Sequence, residues 1–537
     1  MPDTPARPPS PATPGRARHR WTAAATMYLG LYLLGLDLTV LNVAAPDLQN
    51  DLHAHLSQVQ WVVNGYTLAL GGTVLAVGAM TDRIGRRRAF TAGLALCAAA
   101  SAAGALASGV TQVIAARFAM GTGASLLMPA TLSTVISLFP EPQLRQRAIA
   151  LWAAVGGIGF ASGPVAGGWL VEHHGWRAGF WINLPIAATA IVLAYCVVPE
   201  SRDTERRRVD LTGAVLSAAG LLTLVWAVIE APTRGWTSTT VLAAFTVATG
   251  WLAAFLVHQS RSAAPMLPLA FLRDPRIGVA AATLATLSLA LYGALLVVSL
   301  YLQEVLGYSP WQAGVRTLPL PLALAAGAVA VVPQISRWGA RATVVSGLAL
   351  VVAAFVVLAG ATPESGYPRV AVFQIIAGFG AGMAATAGTG SVMGAVPAQR
   401  AALGSAINDA TRQVGSAVGV ALQGSILASV SASSLHRSLS PYSAQLPEAA
   451  RADILSTRLY LADVPPALRS VVLASARQAF IDGLITAALV AGALTLAAGA
   501  AAAVWLPRRS TSCVPGSEVD GAAPRDGTAE SCERAER

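Results

Sequence analysis

The chain has 537 residues, of which 55% are hydrophobic and 12% are charged. Soluble proteins carry about 25% charged residues, and long apolar runs recur along most of this chain, so its composition excludes a soluble globular protein. The net charge of +10 does not indicate nucleic-acid binding, because the arginines lie in short segments between apolar runs. No lysine is present, which excludes the phosphate-binding lysine of a nucleotide-driven pump and a Schiff-base amine.

The apolar runs predict an all-α integral membrane protein. Residues 1–20 are rich in proline and arginine and are expected to form a disordered cytoplasmic tail. The first run, at about 21–45, is too long for a signal-peptide core and contains Asp37, so we expect it to stay as a spanning helix. Thirteen more runs of about 20 residues can each cross a bilayer. They lie near 59–80, 89–107, 111–138, 148–171, 180–198, 211–230, 239–257, 277–302, 317–335, 342–361, 370–396, 403–428 and 480–506.

A faint internal repeat divides these fourteen helices. Arg83 and Gly85 recur at an offset of 254 residues as Arg337 and Gly339, each time after the second helix of a six-helix set. Two such halves with a site between them are typical of transporters. The predicted organisation is an N-terminal bundle at 21–199, an inserted helix pair at 200–260, a C-terminal bundle at 261–506 with a long, partly helical outer loop at 429–479, and a cytoplasmic tail at 507–537.

Arginine placement predicts the orientation in the membrane. With the N-terminus inside, sixteen arginines fall in inner short loops, and the outer short loops hold Arg177, Arg234, Arg316 and Arg369. Because positive charge accumulates in cytoplasmic loops, both termini are expected to be cytoplasmic.

Several motifs carry a family resemblance over about residues 30–505. Segment 78–88 reads GAMTDRIGRRR, segment 36–46 reads LDLTVLNVAAP, and Arg117 follows Ile-Ala-Ala. These resemble the loop between helices 2 and 3, helix 1 and helix 4 of the fourteen-helix drug:proton antiporters of the major facilitator superfamily. The glycines and proline of helix 5 resemble the same family's antiporter motif: Gly159, Gly163, Pro164, Gly167 and Gly168.

Asp37 is a carboxylate within an apolar helix, where ionisable groups are costly and mark functional pathways. Helix counting places Asp37 about 11 Å and Arg117 about 10 Å from the same membrane face, so the two can pair. Burial raises the pKa of a carboxyl group and a nearby arginine lowers it, and this competition can bring protonation within reach of a proton gradient. The alternative is a static ion pair that only fixes packing. The resemblance supports proton coupling by Asp37 and Arg117.

The loop after helix 2 acts in the family as a latch between the halves. The resemblance assigns that role to Gly78, Asp82, Arg83, Gly85 and Arg86. Cytoplasmic positive charge around a glycine turn is the alternative, but it does not explain an acidic residue there.

On helix 5, glycines recur every four residues, which predicts a bare face for close helix packing. Pro164 removes the hydrogen bond to the carbonyl of Phe160 and is expected to kink the helix. That this motif belongs to an exporter is implied by the resemblance.

Five polar or aromatic side chains are candidates for the substrate cavity: Trp61, Asn64, Tyr66, Asp409 and Arg412. Trp61 fits equally well as an interfacial anchor. Arg412 lies one helical turn after Asp409 and can simply neutralise it.

The resemblance implies a proton-coupled multidrug or antibiotic exporter of the bacterial cell membrane that works by alternating access. Its partners would be an amphipathic small molecule, protons and lipid, and it would need no cofactor, metal or catalytic residue. A monomer suffices for this mechanism, and the sequence leaves the oligomeric state open. The alternatives are export of a metabolite such as an amino acid or sugar on the same fold, and a non-transporting membrane sensor.

Overall fold

The computed structural model describes residues 14–201, 210–262, 274–395, 401–442 and 464–506, with a few isolated positions between them. Within those residues the regular secondary structure is helical throughout. The first half contains α1 (Pro14–Leu52), α2 (Leu56–Ile84), α3 (Arg86–Ala105), α4 (Val110–Leu138), α5 (Pro142–His174), the short α6 (Ala178–Trp181) and α7 (Asn183–Val197).

An inserted pair follows, and then the second half. The pair is α8 (Leu211–Arg234) and α9 (Thr239–Arg261). The second half contains α10 (Pro275–Leu300), which continues as a π-helical turn (Tyr301–Val305), α11 (Pro310–Arg316), α12 (Pro319–Ala330), α13 (Val332–Ala359), α14 (Tyr367–Ala395), α15 (Ala401–Leu439) and α16 (Arg469–Trp505).

Thirteen helical stretches among the described residues are long and apolar enough to span a membrane. The predicted second span corresponds to α2, a helix of 29 residues that lies outside those thirteen. The all-α membrane fold predicted from composition is confirmed.

The helices alternate between two ends of the molecule. The Gly85 end holds the turns at Gly85 and Gly339, and the Gly175 end holds the turns at Gly175 and Gly235. Gly85 has φ 109° and Gly339 has φ 80°, a left-handed backbone that side chains disfavour. The two glycines of the internal repeat therefore make corresponding turns in the two halves.

Two prolines inside helices leave a backbone carbonyl without its usual helical N–H donor, and a side-chain hydroxyl of another helix donates to it instead. Pro46 has no N–H for the carbonyl of Asn42, and that oxygen accepts from Ser299 Oγ of α10 at 2.8 Å. Pro164 likewise releases the carbonyl of Phe160, which accepts from Thr39 Oγ1 of α1 at 2.9 Å. Each proline thus creates a specific hydrogen bond between helices.

The inserted pair packs against both halves at once. A small hydrophobic cluster joins Leu68 of α2, Val225 of α8 and Ala421 of α15. Ser425 Oγ of α15 donates to the carbonyl of Val228 at 2.7 Å. Helix α8 therefore covers the seam between α2 and α15.

At the Gly85 end a single carboxylate joins α8 to α9. Asp210 caps α8 by accepting from the Gly213 N–H at 2.8 Å, and it also bonds His258 at 2.7 Å and Gln259 at 2.7 Å. Burial raises the pKa of Asp210, but the hydrogen bonds from these three partners outweigh it, so the pKa lies below its usual range.

One expectation about a segment end needs correction. Helix α1 begins at Pro14, so residues 14–20 are helical instead of belonging to a tail. Proline is well suited to the first turn of a helix, and the following arginines are good helix formers. The outer segment 429–479 is helical at both of its ends, because α15 continues to Leu439 and α16 begins at Arg469.

Candidate functional site

The first half encloses one strongly buried ion pair. Arg117 Nη1 of α4 lies 2.6 Å from Asp37 Oδ2 of α1, and the residues are 1% and 3% exposed. The structure thus brings together the two residues predicted to pair. Their part in proton coupling stays a prediction.

Neighbouring backbone and ring groups hold the arginine in place. Arg117 Nε donates to the carbonyl of Val62 at 3.0 Å, and Nη2 donates to the carbonyl of Asp37 at 3.4 Å. The guanidinium carbon lies 4.5 Å from the centre of the Tyr66 ring. Because a buried guanidinium needs its donors satisfied, these contacts fix the side chain towards Asp37.

The second oxygen of the Asp37 carboxylate, Oδ1, accepts a hydrogen bond from a neutral side chain. Asn183 Nδ2, at the start of α7, donates to Asp37 Oδ1 at 3.1 Å and to Ser101 Oγ of α3 at 3.0 Å. Ser101 Oγ in turn donates to the carbonyl of Phe180 at 2.8 Å. Both oxygens of the Asp37 carboxylate thus accept hydrogen bonds, one from α4 and one from α7. Ser101 of α3 and the carbonyl of Phe180 hold the Asn183 amide in place.

The two halves touch each other towards the Gly175 end. Besides the bond from Ser299 to Asn42, Gln303 Nε2 donates to the carbonyl of Val43 at 3.1 Å. Glu172 at the end of α5 reaches across to the second half, where Ser309 Oγ and the Trp311 N–H (3.0 Å) both donate to its Oε2. These contacts close the seam between the halves at that end.

The helix 5 glycines face two different neighbours. A Cβ at Gly159 would lie 2.5 Å from the carbonyl of Tyr32, and one at Gly167 would lie 2.7 Å from the carbonyl of Val40, both on α1. A Cβ at Gly163 would collide with Thr39 Oγ1, and one at Gly168 would collide with the carbonyl of Pro310 in the second half. The motif therefore packs α5 tightly against α1 and, through Gly168, against α11.

The predicted latch is only partly visible. The structure does not describe the surroundings of Gly78 or the side chain of Asp82. Arg83 is exposed, and Gly85 both ends α2 and begins α3. Arg86 Nη1 donates to the carbonyl of Ser133 at 3.3 Å.

The α2 candidates for the substrate cavity point in different directions. Trp61 is half-buried against the Phe118 ring at 6.2 Å and borders the cluster at the inserted pair. Tyr66 belongs to the surroundings of Arg117 instead. Asn64 is 0% exposed, and neither of its amide atoms has a hydrogen-bond partner.

The α15 candidates lie nearer to water. Asp409 is half-buried and accepts from Asn408 Nδ2 at 3.4 Å, whereas Arg412 is exposed. An exposed arginine within a spanning helix requires water around it rather than lipid. This observation favours a water-accessible cavity beside α15.

Sequence reasoning missed three functional features of the structure. Asn183, Glu172 and Gln303 are not among the site residues that the sequence predicts. The proline at position 46 offered one usable signal, because a proline within a helix implies a carbonyl that needs an outside donor.

Comparisons with known proteins agree with the geometry. Residues 27–420 match the model of the Major Facilitator Superfamily. The chain is 35% identical over 490 residues to the multidrug resistance protein Stp of Mycobacterium tuberculosis, covering 89% of this chain and 91% of that protein. It is 33% identical over 504 residues to the multidrug efflux pump LfrA of Mycolicibacterium smegmatis, covering 93% and 99%. It is 32% identical over 421 residues to the tetracenomycin C resistance and export protein of Streptomyces glaucescens, covering 78% of each.

Solved structures show the same fold. The crystal structure of a bacterial homolog of the human lysosomal transporter Spinster, inward-facing and occupied, superposes with a TM-score of 0.61 at 16% identity, covering 91% of this chain and 98% of that one. A peptide transporter in complex with sulfate superposes with a TM-score of 0.58 at 14% identity, covering 91% and 96%. The family resemblance drawn from the motifs is thereby confirmed: the chain belongs to the major facilitator superfamily and is a multi-pass membrane transporter, not an enzyme.

Proposed function

We propose that this protein exports amphipathic drug-like molecules from a bacterial cell in exchange for protons. The observation that carries the proposal is the buried Asp37 carboxylate, bonded on both oxygens, in a chain whose relatives along most of their length are drug-efflux and antibiotic-resistance proteins. A buried carboxylate is expensive to maintain, so a role that needs its charge to change accounts for it better than packing alone.

In this mechanism Asp37 alternates between two protonation states. In one of these states Asp37 is ionised and paired with Arg117, an arrangement that the hydrogen bonds to both of its oxygens support. Taking up a proton weakens the pairing, which releases Arg117 and lets the first half change its packing. Losing the proton restores the pair.

Alternating access follows from the seam between the halves. In our proposed orientation both termini are cytoplasmic, so the Gly175 end faces outwards. The contacts of Glu172 and Gln303 then close the outer side, and the exposure of Arg412 supports an opening towards the cytoplasm. Cargo enters from inside, and breaking the outer contacts releases it.

The proton gradient supplies enough energy for such export. One charge crossing the membrane contributes about 2.3 kcal/mol per 100 mV, and each pH unit of gradient adds about 1.36 kcal/mol. One proton can therefore support a concentration ratio of the order of tens to hundreds.

A drug-susceptibility panel in an efflux-deficient bacterial host tests this function. Cells that make the protein should become less susceptible to several amphipathic drugs, and cells that make Asp37→Asn in equal membrane amounts should not. If wild-type protein changes susceptibility to no drug but exports an amino acid or a sugar, the proposed cargo is wrong.

A further inference from the structure

We infer that Asn183 is the positioning residue that favours the ionised form of Asp37, acting as an oriented hydrogen-bond donor to the carboxylate. This inference rests on the proposed function, because it assigns a role within the same proton site.

The orientation of the Asn183 amide follows from its neighbours. The carbonyl of Phe180 can only accept, so the hydrogen of the Ser101 hydroxyl is committed to it at 2.8 Å. Ser101 Oγ must therefore accept from Asn183, and the amide presents its NH2 group to both Ser101 and Asp37. One NH2 hydrogen goes to each partner.

This arrangement suits the ionised carboxylate. Arg117 donates to Oδ2 and Asn183 donates to Oδ1, so both oxygens already accept a hydrogen bond. A guanidinium has only donors, and Asn183 presents its NH2 end, so an O–H formed on Asp37 would find no acceptor in either partner.

The acceptor end of the amide is left without a partner. Asn183 is 1% exposed, and its Oδ1 has no hydrogen-bond partner within the protein. It borders a small cavity of about 10 Å³ whose wall also includes Asp37, Tyr66 and Cys97. A buried acceptor without a partner is costly, and the two hydrogen bonds that the NH2 group donates offset this cost.

Protonation of Asp37 weakens this bonding, because a hydrogen bond to a charged carboxylate is stronger than one to a neutral carboxylic acid. Asn183 therefore favours the ionised form over the protonated one.

Other titratable groups face Asp37 from three helices. They are Arg117 on α4, Tyr66 on α2 and Cys97 on α3. Helix α5 faces this part of α1 with Gly159 and Gly163, which carry no charge. Among the described neighbours, Asn183 is thus the neutral group that bonds the carboxylate directly.

Infrared difference titration of the purified full-length protein tests the inference without any cargo. The carbonyl band of protonated Asp37 is identified by its loss in Asp37→Asn, and its midpoint is measured against pH. Asn183→Leu removes a donor to the charged form, so the midpoint should move upwards by about one pH unit or more. Ser101→Ala releases the NH2 group from its acceptor, and the midpoint should move in the same direction by a smaller amount.

Gln374→Leu is the matched control, because it removes a buried amide of the second half that is 2% exposed and should leave the midpoint unchanged. An unchanged midpoint in both Asn183→Leu and Ser101→Ala would overturn the inference. If the Asn183→Leu protein does not accumulate in the membrane, the band midpoint of Ser101→Ala alone tests the inference. Ethidium uptake by everted vesicles separates this result from the proposed function: wild type without uptake contradicts the function, whereas uptake with an unshifted band midpoint contradicts only the role of Asn183.

Discussion

At the residue scale, the site depends on polar groups that satisfy one another across helices. Thr39 illustrates this, because its hydroxyl donates a hydrogen bond to the Phe160 carbonyl. Pro164 leaves that carbonyl without a donor in its own helix. Thr39 is 0% exposed, so water cannot replace it. The proline of the helix 5 motif and a threonine of the helix 1 motif thus act as one unit.

Thr39→Val keeps the shape of the side chain but leaves the Phe160 carbonyl unsatisfied. We expect a loss of about 1–3 kcal/mol in the free energy of unfolding, measured by thermal or denaturant unfolding in detergent. Thr26→Val is the control, because Thr26 Oγ1 bonds the carbonyl of Thr22 within its own helix and should cost less. Equal losses in the two variants would contradict the bond between α1 and α5.

The sequence predicts some of the site and misses the rest for a physical reason. Asp37 and Arg117 could be paired because helical rise places both at one depth, and charges in lipid need partners. Asn183 could not be assigned in the same way, because its amide acts through a rotamer and through the turn that precedes α7. Neither is encoded in helical periodicity.

At the element scale, two carboxylates join separate helices. Glu172 ties α5 to the start of α11, and Asp210 ties α8 to α9. The apolar runs predicted α5, α8 and α9 but neither the short α11 nor these contacts, since an apolar run identifies a helix and not its neighbours. The α2 candidates show the same limit, because Trp61 and Tyr66 point to different neighbours.

Glu172→Ala removes a contact that holds the Gly175 end closed. We expect a larger fraction of molecules open at that end, measured as longer spin-label distances between Gly109→Cys and Gly366→Cys in a background without other cysteines. Gly109 faces open space, so a label fits there. Glu230→Ala breaks an ion pair within α8 and should leave the distances unchanged. Unchanged distances in Glu172→Ala as well would exclude this carboxylate as an outer contact.

Asp210→Ala removes the cap of α8 and its bonds to α9. We expect faster hydrogen exchange in the first turn of α8 and the last turn of α9, consistent with a loss of about 0.5–2 kcal/mol for a helix cap. Ser238→Ala, which removes the cap of α9, should affect the start of α9 only. Exchange confined to α8 in Asp210→Ala would show that the carboxylate does not join the pair.

The stabilisation of α8 and α9 by Asp210 depends on pH, because the pKa of this carboxyl group lies below its usual range. Its stabilising contribution is fully present above the pKa of an unfolded aspartate, about 3.9, and is lost as the pH falls through the lower folded-state value. The ends of α8 and α9 should therefore stay protected at neutral pH and loosen only in acid.

At the scale of the whole molecule, the two halves form separate hydrophobic cores that meet along a polar seam. One core is built from the helices of the first half, and the other from the second half with Leu56 and Val63 of α2. The glycine turns at Gly85 and Gly339 show that the weak sequence repeat reflects a real structural correspondence.

Transport energetics distinguish a proton-driven exporter from a nucleotide-driven pump. Everted vesicles with an imposed pH gradient should take up ethidium in the absence of ATP, because the chain contains no phosphate-binding lysine. A protonophore should abolish that uptake. Uptake that follows ATP and ignores the protonophore would exclude proton coupling.

The coupling carboxylate itself is tested by proton release from purified protein in weakly buffered detergent solution. If cargo binding and Asp37 protonation compete, adding ethidium should release protons from wild-type protein. Asp37→Asn mimics the neutral form, so it should still bind ethidium, measured by fluorescence anisotropy, but release fewer protons. Undiminished release by Asp37→Asn would contradict the account and place the coupling carboxylate elsewhere, with Asp409 the next to be tested.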